Sequence, residues 1–201
     1  MTQITSAVDL CNLSLGHLKI APITSLSGSS TEEKICNLYY DITRQAVLES
    51  NNWAFAMKRV ALAEDSGTPA FGWEYQSSTM PADFLKLVGL YDECGEIYIN
   101  TNNQYYEFEN GRILTNISSP YYVKYIADIT DVAKFDRLFT MNFSYALSTT
   151  MSEALKVSST LLQVITDKWQ SLWKVDASAV NGQQVGIIRV KQSNFLNSRR
   201  V

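Results

Sequence analysis

The chain carries one histidine, His17, and three cysteines, Cys11, Cys36 and Cys94. A zinc cluster of the histidine–cysteine type would have to draw all four together from distant points, because no two cysteines stand at the short spacing such sites use. Cys11 and His17 are six positions apart, which turns them about 240° around a helix and prevents a nucleophile–base dyad within it. Cys36 could meet His17 only through the fold, and the plainer reading is a buried thiol near a helix-end imidazole. No glycine-rich phosphate loop and no Gly-x-Ser-x-Gly elbow occurs. Acidic neighbours such as Asp128 with Asp131, or Glu64 with Asp65, have the types a glycoside hydrolase needs, but adjacency in sequence does not make a facing pair across a cleft. Asp92, Glu93 and Glu96 crowd one turn without the calcium-loop pattern, as acids at solvated turns do. The expectation is a scaffold with no metal and no cofactor, not an enzyme.

The elements that would hold these residues follow from periodicity. Ile4, Val8, Cys11, Leu15 and Leu18 mark one face of a helix over about residues 5–19, with Thr5 or Ser6 as its cap. Pro22 and the serine-rich run 25–30 end it. Ser30-x-x-Glu33 then forms a capping box before Ile35, Leu38, Tyr39, Ile42 and Ala46, the apolar face of a second helix to about Ser50. Glu32 and Glu33 in its first turn complement the helix dipole. Residues 58–62 read as an extended segment or short strand, and Gly67, Pro69 and Gly72 mark a loop. Between residues 84 and 126 the period becomes two. Phe84–Tyr91, Ile97 with Ile99, the Tyr105–Phe108 run, the Asn110-Gly111 hairpin signal and Tyr121–Ile126 together predict a meander of about four or five strands.

From Asp131 a helical pattern returns through Phe135, Leu138, Phe139, Phe143, Ala146, Leu147, Met151 and Ala154. Its small residues, Ala146 and Ser148 through Ser152 except Met151, let another backbone approach. After Val157-Ser158-Ser159 a fourth helix carries Leu161, Leu162, Ile165, Trp169, Leu172 and Trp173. The order is α+β: a helical bundle of about four helices with an inserted small antiparallel β-sheet and an extended C-terminal tail. The expected segments are 1–62 (first helix pair), 63–127 (β-rich insertion), 128–180 (second helix pair) and 181–201 (tail).

The 201 residues, 46% apolar and 18% charged with 8 Phe, 11 Tyr and 4 Trp, suffice for a core without disulfides and are too aromatic for a solvated coil. An odd, widely spaced cysteine count fits reduced thiols. No run approaches the 18 or so apolar residues of a membrane span, and the start lacks a signal-peptide pattern, so the expectation is a soluble intracellular product. Without that signal the three Asn-x-Ser matches at 12, 116 and 142 carry no weight. Charge is uneven. Residues 181–201 hold Arg189, Lys191, Arg199 and Arg200 and no acid, which leaves 13 basic against 20 acidic groups, a net of −7, on the rest. A basic tail with Phe195 and Leu196 as apolar anchors reads either as a frayed end or as a segment that orders on a partner.

The succession of these pieces resembles the head-to-tail adaptors, or connectors, of tailed bacteriophages, of the tail tubular protein A type. The resemblance rests on Leu10-Cys11-Asn12-Leu13-Ser14-Leu15-Gly16, Pro22-Ile23-Thr24-Ser25-Leu26, Tyr39–Arg44, Leu48, Trp53-Ala54-Phe55-Ala56 and Leu62. It continues through Trp73-Glu74-Tyr75, Met80-Pro81-Ala82-Asp83-Phe84-Leu85-Lys86, the late helix pair and the basic, aromatic end, and so covers nearly the whole chain. Where relatives often carry Cys-Leu-Arg after the proline turn, this chain has Phe84-Leu85-Lys86.

The resemblance implies a virion protein at the head–tail junction, assembled in the host cytoplasm. It implies a ring, commonly of twelve copies, beneath the portal protein and above a tail nozzle or tail tube protein, with a central channel through which DNA passes unbound and with no membrane contact. The tail residues Arg189, Lys191, Phe195, Leu196, Arg199 and Arg200 would dock on the portal. A closed ring needs unlike patches on each subunit, and Tyr39, Tyr40, Tyr105, Tyr106, Tyr121 and Tyr122 are the candidate interface residues. The alternative expectation is a phage-tail hydrolase acting on envelope polysaccharide or peptidoglycan.

Overall fold

The computed structural model describes residues 4–95 and 106–172. They form two compact units, one of residues 4–56 with 128–172 and one of residues 57–95 with 106–127. The fold is α+β, with the helices in the first unit and antiparallel strands in the second.

In the helical unit, α1 (Ala7–His17) starts at a capping box in which the Asp9 amide donates to Ser6 Oγ at 3.1 Å and the Ser6 amide to Asp9 Oδ2 at 3.0 Å. The predicted Ser30–Glu33 box opens α2 (Thr31–Ser50) in the same way. These side chains satisfy first-turn amides that have no helical partner. The chain leaves α2 through Asn51 and turns at Ala54–Ala56, where Trp53 Nε1 donates back to the Val47 carbonyl at 2.8 Å. The long helix expected from Asp131 divides into a single turn, Val132–Lys134, and α3 (Arg137–Ser152), because Asp136 stops the first segment and caps the second through the Phe139 amide at 2.6 Å. Beyond the turn at Glu153–Val157 runs α4 (Ser159–Leu172).

The core of this unit is built on an aromatic ladder. Trp53 meets Phe139 edge-on at 5.2 Å, Phe139 stacks on Phe143 at 6.0 Å, and Phe143 meets Tyr40 edge-on at 5.3 Å. On α3 the small residues permit close helix approach, as the sequence suggests. The buried Ser148 hydroxyl lies 2.9 Å from the Ser14 carbonyl of α1 and 2.6 Å from the Ser144 carbonyl of its own helix.

The strands are β1 (Met57–Leu62), β2 (Tyr75–Gln76), β3 (Phe84–Tyr91), β4 (Tyr106–Glu109), β5 (Arg112–Thr115) and β6 (Tyr121–Ala127). Among the described residues they make two three-stranded sheets, ordered β1-β6-β3 and β2-β5-β4, rather than the expected meander, and the expected strand at Ile97 and Ile99 lies outside those residues. The physical reason is β6, the most buried of the strands, which takes the central position and pairs with β1 and β3 across the intervening hairpin. Asn110 and Gly111, both at positive φ (47° and 71°), close the β4–β5 hairpin as the sequence predicts. Pairing of Met57 with Ile126 also moves a boundary: residues 57–62, assigned from sequence to the first helix pair, belong to the sheet unit. Leu62, Met80, Leu90, Ile113, Tyr121 and Val123 form the core of this unit.

Candidate docking surfaces

Helix α2 presents two apolar stripes, and the one picked out by sequence is the outer one. Cys36, Tyr40, Thr43, Arg44, Val47 and Leu48 are buried, whereas Leu38 and Ile42 are 61% and 63% exposed and Ala46 follows them on the same face. The error has a simple cause. The two stripes sit about 160° apart around the helix, and the true core face is interrupted by Thr43 and Arg44, so hydropathy alone ranks the outer stripe higher.

The outer stripe runs into an apolar groove of about 410 Å³ between α2, α3 and α4, lined by Ile42, Ala46, Val47, Ala146, Thr150 and Trp169. Two polar atoms at its walls, Thr43 Oγ1 and Trp169 Nε1, are buried without a hydrogen-bond partner among the described residues. Such atoms are costly unless something supplies a donor or acceptor.

Arg44 fixes the inner wall. Its guanidinium pairs with Asp128, donates to the Ile129 carbonyl at 2.9 Å and meets Asp41 at 2.9 Å, while Gln45 Nε2 donates to Asp128 Oδ2 at 2.9 Å. The arginine thus holds the segment that follows β6 against α2. No sequence signal marks this role, because a lone Arg within a helix pattern reads as solvated.

In the sheet unit, Val60 and Leu62 of β1 with Tyr121 and Val123 of β6 face or line the core, so Arg59 and Ala61 with Tyr122 and Lys124 take the other face. Lys58 reaches Asp83 at 2.5 Å, and the Tyr125 hydroxyl donates to the same carboxylate at 3.0 Å. The ammonium of Lys58, ahead of burial, holds the Asp83 carboxyl below its ordinary range. Burial, and then the Asp83 hydrogen bond, pushes the Tyr125 phenol up to about 12. On the β2-β5-β4 side, Phe71 is 87% exposed, and Trp73 Nε1 donates to Glu107 Oε2 at 3.1 Å.

The residues singled out for catalysis are placed otherwise. His17 stacks on Tyr145 at 4.2 Å with Nε2 3.1 Å from Ser144 Oγ, whereas Cys36 lies against Cys11 and, at 3.7 Å, Met151. The Cys36–His17 pair is therefore not formed. Asp128 is engaged by Arg44, Asp131 caps the Val132–Lys134 turn, and Asp65 pairs with Arg112, so neither acid pair faces across a cleft. Asp92 and Glu93 follow β3, and Glu96 lies outside the described residues.

Of the tyrosines expected at an interface, Tyr40 and Tyr121 are 7% and 1% exposed and are consumed by the two cores, so they offer no contact area. Tyr39, Tyr106 and Tyr122 are half-buried, and Tyr105 lies outside the described residues. The expected docking residues Arg189, Lys191, Phe195, Leu196, Arg199 and Arg200 and the extended tail also lie outside them. No family model matches the chain, and no curated protein matches it significantly.

Proposed function

We propose that the chain is a structural adaptor of a tailed-phage virion, one subunit of a ring at the head–tail junction whose channel passes DNA. The observation that supports this most is the outer stripe of α2. Two large aliphatic side chains more than 60% exposed, continuous with an apolar groove that holds buried unpartnered polar atoms, suit a surface covered in an assembly better than one left in water. In this reading a neighbouring subunit covers Leu38, Ile42 and the groove, and the basic terminus with Phe195 and Leu196 engages the portal protein. The order of sequence elements shared with the adaptor family supports the same assignment.

The test has two arms. Leu38→Glu with Ile42→Lys should leave the subunit folded and abolish rings seen by negative-stain microscopy when the chain is mixed with its portal. Deleting residues 184–201 should abolish portal capture in a pull-down while the melting transition is retained. Rings that form normally with both outer side chains charged, or full portal capture by the truncated chain, would sink the corresponding half of the proposal.

A further inference from the structure

Glu107 and Glu109 alternate along β4, both exposed, and stand about 7 Å apart on the face opposite Tyr106, which packs on the core. Their cross-strand partners on β5 are Leu114 and Arg112. Together with Phe71 and Trp73 these residues line a cleft of about 610 Å³. Arg112 is engaged by Asp65, and neither glutamate forms an ion pair among the described residues. The cleft therefore keeps two uncompensated negative charges. Trp73 Nε1 donates to Glu107 Oε2 at 3.1 Å, which holds the indole beside the carboxylates, and the Phe71 ring is 87% exposed next to them. Carboxylates flanked by aromatic faces attract guanidinium and ammonium groups.

The sequence holds one segment of matching pattern. Glu107 and Glu109 are the one pair of acids two positions apart in the chain, and Arg189 and Lys191 are the one such pair of Lys or Arg. In an extended segment these two cations also stand about 7 Å apart on one side. No acidic side chain occurs from 177 to 201 to compete for them. Residues 96–105, which precede β4, contain no Lys or Arg and so cannot answer the two glutamates. We infer that the C-terminal segment docks in this cleft of its own chain, Arg189 against Glu109 and Lys191 against Glu107, with the guanidinium on the Phe71 and Trp73 rings. The stretch from Leu172 to Arg189 spans up to about 55 Å when extended, so its tether allows the contact. Surface ion pairs are individually too weak to hold two separate molecules together. On one chain the tether supplies an effective concentration near millimolar, which favours the same chain over a second copy. The contact goes beyond the portal reading and does not depend on it, since it fixes the segment at 189–191 and leaves Phe195, Leu196, Arg199 and Arg200 for a partner.

The test is zero-length carbodiimide coupling of the full-length chain, which joins a lysine to a carboxylate only where the two touch, followed by peptide mass spectrometry. A link from Lys191 to Glu107 or Glu109 should form, with the Lys58–Asp83 pair as the internal standard, and its yield should fall several-fold in high salt. In an equimolar mixture of isotope-labelled and unlabelled chains, every linked pair should be wholly heavy or wholly light. R189E and E109K each retain Lys191 and Glu107, so coupling stays chemically possible, yet each should lower its yield about fivefold or more. R189E/E109K together should restore it, because the exchanged charges again attract. Circular dichroism melts check that the variants fold. A standard that couples while Lys191 does not, single variants that couple like the unaltered chain, or a double variant that is not rescued would each overturn the docking. Mixed heavy and light pairs would overturn it in favour of a second copy, and Lys191 linked instead to carboxylates of the helical unit would overturn the choice of cleft.

Discussion

Arg44 illustrates how much one side chain can fix. Its guanidinium has acceptors on α2 and on the segment after β6, and it is almost wholly buried. Replacing it with Ala leaves Asp128 and the Ile129 carbonyl without their donor, and Arg44→Ala should cost about 3 kcal/mol of stability in urea denaturation. Arg44→Met, which retains bulk without charge, should recover little of this, because the loss lies in the unsatisfied acceptors. His17 sets a pH dependence. Burial, and then the charge of Lys168, lowers its imidazole below the ordinary value, so the unfolded chain binds a proton at a pH where the folded chain does not. Stability is then fully present above the unfolded histidine range and falls as pH drops through and below it. His17→Gln should flatten the urea midpoint between pH 7 and about 5. Asp83 adds a second loss of the same sign at lower pH, as its depressed carboxyl becomes protonated. An unchanged slope in the His17 variant would place the acid sensitivity elsewhere.

Among the elements, α2 gives the sharpest contrast, since two leucines ten positions apart have opposite environments. Leu48 is fully buried and Leu38 is largely in water. Leu48→Ala should cost about 3 kcal/mol and Leu38→Ala under about 0.5 kcal/mol in the isolated chain, measured by chemical denaturation. Equal losses would mean that the outer stripe is covered within the monomer. The same helix shows what a sequence discloses and what it withholds. Its ends were legible because Ser30 and Glu33 are local signals, and the Asn110-Gly111 hairpin and the paired helices on either side of the strands were legible for the same reason. Its orientation was not, because which of two stripes faces inward depends on α1 and α3, which supply the ring and sulfur partners of Tyr40 and Cys36. The sheet order was withheld on similar grounds: β6 pairs across 60 residues with β1, and no local pattern encodes a partner that distant. The candidate docking surfaces followed the same division. The tyrosine stretches were visible as composition, yet Tyr40 and Tyr121 went to the cores, while the place of Glu107 and Glu109 beside Phe71 and Trp73 exists only once the strands pair.

At the scale of the molecule, the sheet unit interrupts the helical unit in sequence, leaving it at Ala56 and rejoining it at Asp128. Both crossings lie at one end of the β1–β6 pair, whose last partners are Met57 and Ile126. Residues so paired have Cα atoms about 5 Å apart, so a linker of a few glycines should bridge 56 to 128. A chain lacking residues 57–127 should then keep a cooperative thermal transition and strong helical ellipticity; a non-cooperative melt would show that the helices depend on the strands for folding. The hydrogen-bonded doorway has a broader consequence. An insertion that departs and returns through adjacent strands can be lengthened, shortened or exchanged over generations without asking its host to move, so the strands are free to diversify while the helices that carry them stay as they are.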